Sequence, residues 1–247
     1  MSLLDLNNDQ FTKEIAKNLS TPVYHKKGFD DIASFPLIKG KQCLYVMDWR
    51  VSKITFAKGV EEFLGYKEDE LDPQLLFNFC HSEDKTFVMR IIKGVVLHCS
   101  KNNMSGNGEY LNMTFRIKKK DGTYIKILRQ SSTYQQDKEG RFISSLSLLT
   151  DISFISKVNR VEWDIYAKDL DMDLVKNSVF KEFINFFTKR ELDVIAAMAK
   201  GLNNIQIAQQ LYISKHTVST HRKNIFAKSN CSNAQEVIEF CKNYGIL

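Results

Sequence analysis

Between Leu111 and Ile117 apolar and polar residues alternate strictly: Leu111, Met113, Phe115 and Ile117 against Asn112, Thr114 and Arg116. A period of two predicts a half-buried β-strand. Lys120-Asp121-Gly122 then reads as a hairpin turn. A second strand is predicted over Tyr124–Tyr134, a turn over Gln135–Gly140, and a third strand from Arg141 to about Phe154. Val161, Trp163 and Ile165 against Glu162, Asp164 and Tyr166 predict one strand more. Upstream, Cys43–Met47 and Ile54–Phe56 read as two strands, followed by short helical pieces over Val60–Leu71 broken at Gly65-Tyr66. Ser82–His98 predicts a longer helix. Ser82 is its expected N-cap, Glu83 and Asp84 lie in its first turn, and Phe87, Val88, Ile91, Ile92, Val95 and Val96 form its apolar face. Lys101–Gly108 is a polar loop. Leu6–Leu19 reads as an amphipathic helix (Phe11, Ile15, Leu19) stopped by Ser20-Thr21-Pro22, and residues 23–40 carry no clear pattern.

From Phe187 onward the period changes to that of helices. Thr188-Lys-Arg-Glu191 fits a capping box, and Leu192, Ile195, Met198 and Ala199 form one apolar face up to the stop at Gly201. A short helix is expected over Asn204–Leu211, then a tight turn at Tyr212-Ile213. A third helix, capped by Ser214, runs to about Lys228, and a fourth is capped by Ser232-x-x-Gln235, with Val237, Ile238 and Cys241 facing inward. The expected fold class is therefore α+β: an antiparallel sheet domain with helices, then an all-α four-helix unit. The expected division is a helical lead-in over 1–40, a sheet domain over 41–166, a linker over 167–186 that is acidic at first, and a helical domain over 187–247.

Composition narrows the setting. A chain of 247 residues with 43% apolar and 26% charged content can bury a real core. Cys43, Cys80, Cys99, Cys231 and Cys241 are odd in number and lack C-x-x-C spacing, which suits a reducing compartment rather than a disulfide framework or zinc site. The N-terminus has no basic, apolar leader pattern, and no apolar run is long enough to span a bilayer. The expectation is a cytoplasmic protein with no membrane role. The net charge is +6, and charge informs about partners only where it clusters. Residues 187–247 hold eight cations against four acids, so most of the excess lies in the helical unit.

Short helices joined by tight turns are the helix-turn-helix plan, in which one helix enters the major groove. At about 100° per residue, Val218, His221 and Ile225 share an inward stripe of the third helix, which makes His221 a structural residue. The opposite face carries His216, Ser219, Thr220, Lys223 and Ala227, with no large apolar side chain to hold it away from a groove. Lys215, Arg222 and Lys228 flank it and can reach phosphates, and Ser214 and Thr217 stand at a helix N-terminus, which attracts anions.

Phe187-Thr-Lys-Arg-Glu-Leu192, Gly201-Leu-Asn-Asn204, Ile207-Ala208, Leu211, Ile213-Ser214 and Thr217-Val218-x-x-His221-x-x-Asn224-Ile225-x-x-Lys228 resemble the LuxR-type (GerE-like) DNA-binding domain over nearly all of 187–247. The resemblance implies double-stranded DNA as partner, a homodimer on inverted half-sites, and base contacts from Ser219, Thr220 and Lys223. The expected backbone contacts are Ser214, Lys215, His216, Thr217, Arg222 and Lys228. Two positions depart from the family: Gln206 replaces a usual Glu, which loosens an internal salt bridge, and Ser229 replaces an apolar residue, which alters packing after the third helix.

The order strand, strand, short helices, long helix, three-stranded meander over 43–154 resembles the PAS fold. Phe63-Leu-Gly-Tyr66 with Glu68-x-Glu70-Leu71, Phe79-Cys-His81-Ser82-Glu-Asp84, Phe115-Arg-Ile-Lys-Lys-Lys-Asp-Gly122 and Leu149-Thr-Asp-Ile152 carry it. PAS domains sense ligands or cofactors, or pair with one another. No cofactor is predicted here and the ligand is unknown. The flavin-binding segment is missing around Cys80, and a lone helical His98 is a weak haem ligand, so Cys80 and Cys99 read as packing residues.

The leading expectation is a sequence-specific transcription regulator whose PAS-like domain senses a signal or mediates dimerisation and controls the DNA-binding unit. RNA polymerase and a small-molecule signal are the further partners such a regulator implies. Three other classes compete. A phosphorylated receiver would use Asp48, but it needs alternating strands and helices. An enzyme would need a glycine phosphate loop, metal cluster or nucleophile–base pair, none of which is visible, so the chain is read as a non-enzyme. An adaptor with a silent helix-turn-helix is disfavoured by Arg222 and Lys223.

Overall fold

The structure is a computed structural model and describes residues 10, 13–15, 17, 29–101, 108–155, 161–167, 170, 186–229, 231–243 and 246–247. The chain divides into two compact units, Met1–Val175 and Lys176–Leu247.

The first unit is built on a six-stranded antiparallel sheet: β1 (Gln42–Asp48), β2 (Lys53–Lys58), β3 (Tyr110–Lys118), β4 (Tyr124–Gln136), β5 (Phe142–Asp151) and β6 (Glu162–Tyr166). Their spatial order is β2-β1-β5-β4-β3-β6. The hairpin pairing sets Met113 opposite Arg129 and Phe115 opposite Ile127. Among the described residues, α1 (Asp30–Ala33) precedes the sheet, and α2 (Val60–Leu64), α3 (Pro73–Phe79) and α4 (Ser82–Lys101) lie between β2 and β3. A meander of antiparallel neighbours cannot be the parallel sheet of a receiver, and Asp48 is buried against Arg50.

The predicted face of α4 is the buried one: Phe87, Val88, Ile91, Ile92, Val95 and Val96 are all inside. Its cap differs from expectation. Ser82 is already helical, and His81 takes the capping role, its Nδ1 accepting from the Glu83 amide at 3.3 Å and its carbonyl accepting from Asp84 and Lys85. Asp84, the acid of the PAS-like segment, accepts from the Arg116 amide at 2.8 Å and the Arg116 Nε at 3.0 Å, tying α4 to β3. Gly59 caps α2 at φ +75°; a Cβ there would meet the Gln42 carbonyl at 3.0 Å, so both backbone and packing require glycine.

Residues 29–37, which carried no clear pattern, cover the other face of the sheet. Ile32 packs with Leu44 and Val46, and Phe29, Leu37, Phe56 and Tyr134 surround them. Strand β5 ends at Asp151 rather than Phe154, because Phe154 and Ile155 stand exposed in a turn. The expected helix over Leu6–Leu19 lies mostly outside the described residues; within it Ile15 is helical and fully buried. The loop over 102–107 and nearly all of the linker over 167–186 also lie outside them.

Burial pushes the thiols of Cys80 and Cys99 up to about 12 and that of Cys43 higher still. A thiol that resists ionisation is a poor nucleophile, in keeping with packing roles.

The second unit comprises α5 (Lys189–Ala199), α6 (Asn204–Leu211), α7 (Lys215–Ser229) and α8 (Ala234–Asn243). Their shared core is Phe187, Val194, Ile195, Ala197, Met198, Ile207, Val218, Ile225, Val237 and Cys241. On α5 the inner face uses Val194 and Ala197, while Ala199 is exposed. No helix among the described residues is long and apolar enough to cross a membrane.

Candidate nucleic-acid interface

The interface is built on α7, and the residues around it fix its pose. Thr188 Oγ1 accepts from the Glu191 amide, and the Glu191 carboxylate accepts from the Thr188 amide at 2.8 Å, so the predicted capping box starts α5. Asn203 and Gln206 repeat the device for α6: Asn203 Oδ1 accepts from two helix amides, and Gln206 Oε1 accepts from the Asn203 amide at 2.9 Å. The uncharged Gln206 therefore still closes a capping box, in place of the salt bridge expected from glutamate. Tyr212 turns the chain into α7 in the left-handed region (φ 52°, ψ 46°) and is 94% exposed. Ser214 caps α7, its Oγ accepting from the Thr217 amide at 3.0 Å. The fourth cap moves by one residue: Asn233 Oδ1 accepts from the Glu236 amide at 3.0 Å, while the carboxylate of Glu236 accepts from the Ser232 amide.

With Val218 and Ile225 at 0% exposure, the rotation of α7 is locked. His221 is half-buried beside them, as the wheel predicts. The far side presents His216, Ser219, Thr220, Lys223 and Ala227 to solvent. The hydroxyls of Ser219 and Thr220 donate to the carbonyls of Lys215 (3.1 Å) and His216 (3.2 Å). Their lone pairs remain to accept from base amino groups, and the Thr220 methyl can meet a thymine methyl. Lys223 is exposed one turn beyond Ser219. Asn204, which the sequence reading left out of the site, donates from Nδ2 to Ser219 Oγ at 3.4 Å and so positions it from α6. Tyr212 is both the turn residue that the sequence predicts and an exposed ring beside the N-terminus of α7.

The flanking cations separate into two kinds. Lys215 is exposed, and the Arg222 guanidinium lies over the Phe226 ring at 5.5 Å, which steadies it beside the helix. Lys228 instead spans the module: its Nζ lies 2.6 Å from the buried Glu191 carboxylate. Ser229 is satisfied locally, its hydroxyl donating to the Ile225 carbonyl at 2.8 Å.

Burial acts to raise Glu191, but Lys228 and the two Thr188 hydrogen bonds outweigh it and hold the carboxyl below its ordinary 4.5. The folded form thus takes up its proton at lower pH than the unfolded form. This stabilisation is complete above the ordinary value and is lost as pH falls through the lowered one. Glu191→Gln keeps an acceptor for Thr188 and removes the charge. It is expected to cost about 1 kcal/mol or less at neutral pH, because Lys228 is partly solvated. Thermal melts of the variant and the parent should converge in acid. A difference that persists unchanged at low pH contradicts the ion-pair account.

Comparison with known proteins agrees with both halves of the architecture. Residues 185–241 match the family of bacterial regulatory proteins, luxR family, and residues 53–147 match the PAS fold. The uncharacterised transcriptional regulatory protein YxjL of Bacillus subtilis is 40% identical over 67 residues, 27% of this chain and 31% of the relative. The oxygen regulatory protein NreC of Staphylococcus carnosus is 30% identical over 91 residues, 31% of this chain and 42% of the relative. The chain thus spans well under half the length of these curated relatives. Among solved structures, the N-terminal domain of a diguanylate cyclase with a PAS/PAC sensor from Marinobacter aquaeolei aligns at 20% identity and TM-score 0.37, covering 46% of this chain and 97% of that one. The Vibrio cholerae VqmA dimer, described with LuxR-type receptors, aligns at 14% identity and TM-score 0.32 over 88% of each chain.

Proposed function

We propose that this chain is a sequence-specific transcription regulator that binds double-stranded DNA as a homodimer in the cytoplasm. Its working parts follow the division read from the sequence: a lead-in over 1–40, a PAS-like domain over 41–166, a linker over 167–186 and the DNA-binding domain over 187–247. The PAS-like domain controls the DNA-binding unit, by sensing a signal or by holding two copies together. One observation carries the DNA reading. The side of α7 opposite the buried Val218 and Ile225 is polar, cationic and free of large apolar groups.

In this reading α7 lies in the major groove with Ser219, Thr220 and Lys223 against base edges. Ser214, Lys215, His216 and Thr217 meet phosphates around its N-terminus, where amides and dipole favour anions, and Arg222 meets one from the flank of the helix. Lys228 reaches a phosphate only by sharing its ammonium with Glu191. All five cysteines are free thiols, which suits a reducing compartment. Two-fold operators demand two recognition helices about one helical turn, roughly 34–36 Å, apart. Sedimentation velocity of the full chain on a duplex selected for binding should give two chains per duplex. One chain per duplex at saturation counts against the dimer.

A further inference from the structure

Arg129 stands in the middle of β4 and is 5% exposed. Its Nε donates to the Tyr45 hydroxyl at 2.9 Å and its Nη2 to the Ser147 hydroxyl at 3.1 Å. Its Nη1 is buried and has no hydrogen-bond partner among the described residues. The groups that accept from it are neutral hydroxyls. Ser147 shares a 2.9 Å contact with Ser131, and the Trp49 indole donates to Ser145 at 3.0 Å. No carboxylate is paired with the guanidinium among the described residues. A guanidinium keeps its proton when buried, and an uncompensated buried charge is strongly unfavourable. Such orphaned donors call for a partner.

Arg129 lines two cavities, of about 40 Å³ and 50 Å³. The second also holds Glu109, whose carboxyl disfavours another negative charge there. The first contains no acid and is walled by apolar side chains such as Leu76, Phe79, Val88, Ile117 and Leu149. It shares Met47, Trp49, Pro73, Phe77 and Met89 with an adjoining space of about 430 Å³. A buried cation therefore borders an apolar cavity that shares a wall with a wider space.

We propose that Arg129 anchors a binding site for a small monocarboxylate with an apolar body. The carboxylate accepts from Nη1, Tyr45 and Ser147 hold the guanidinium in place, and the apolar body runs along the first cavity toward the wider space. The inference rests on reading the N-terminal unit as a sensing domain.

Trp49 borders all three spaces, so its emission reports their occupation. The full chain is titrated with hexanoate and benzoate, and in parallel with hexanamide and benzamide, which keep the shape and lose the charge. A saturable emission change is expected for at least one acid, with its amide about tenfold or more weaker, as loss of a charge-assisted hydrogen bond implies. Arg129→Gln should erase the difference between acid and amide, and Arg129→Lys should restore part of it. Equal responses to acid and amide in the unaltered chain, or no saturable response to either acid, overturn the proposal; neither result depends on a variant that folds. DNA affinity is followed in the same titrations. An acid that binds without moving DNA affinity leaves the site standing and removes the sensory control. An acid that binds a chain with no DNA affinity removes the DNA reading alone.

Discussion

Lys223→Ala is expected to weaken binding to a selected duplex by about 1–3 kcal/mol and to relax preference at one base position in each half-site. Lys223 is exposed on the groove side of α7, and its loss opens no cavity in the core. The thermal stability of the variant should therefore match the parent. Lys215→Ala and Arg222→Ala are expected to differ in kind. A phosphate contact weakens all duplexes alike and lowers the slope of log affinity against log salt by about one. Binding competitions against a panel of single-base operator variants at two salt concentrations separate these outcomes. A Lys223→Ala chain with unchanged preference at every position removes Lys223 from base reading.

The second large effect lies behind the interface. Ile225 is fully buried in the four-helix core and fixes the rotation of α7. Ile225→Ala removes buried methyl and methylene groups and leaves a cavity, which costs about 2–5 kcal/mol. A helical unit this small buries a limited apolar area and has little stability to spare. The variant should melt roughly 8–40 °C lower in its helical circular-dichroism signal, at about 4–8 °C per kcal/mol for a domain of this size. It should also lose sequence-specific binding near physiological temperature, although no DNA-facing residue has changed. Ile225→Val, at about 0.5–1.5 kcal/mol, should retain both. Full activity of Ile225→Ala at the parent's melting temperature contradicts the packing described.

The elements with a clean period were legible in the sequence. β3 alternates because one side packs and the other does not, and α4 and α7 place their buried residues where a 3.6-residue period puts them. β1 is buried on both sides, so only its unbroken apolar run marked it. Residues 29–37 were not legible, because a one-turn helix and a few contacts on a sheet leave no periodic trace. The caps show how local chemistry decides between neighbours. His81 outranks Ser82 because its ring nitrogen reaches the second amide, and Asn233 outranks Ser232 because Glu236 stands three residues on. The solvent face of the candidate interface follows from helix geometry alone. The pairing of Lys228 with Glu191 does not, since it joins residues 37 apart in the chain. Arg129 occupies the inward register of β4, in line with Ile127, where an apolar residue belongs. Its burial shows only in the structure, together with the cavities around it.

The most direct test of the account is fluorescence anisotropy of the full chain on duplexes enriched from a randomised library, set against scrambled duplexes of equal length, across a salt series. The account predicts enrichment of a two-fold symmetric site, bound about a thousandfold or more tighter than the scrambled duplex, with affinity falling steeply as salt rises. Failure to enrich any sequence, with weak and equal binding to all duplexes, contradicts it.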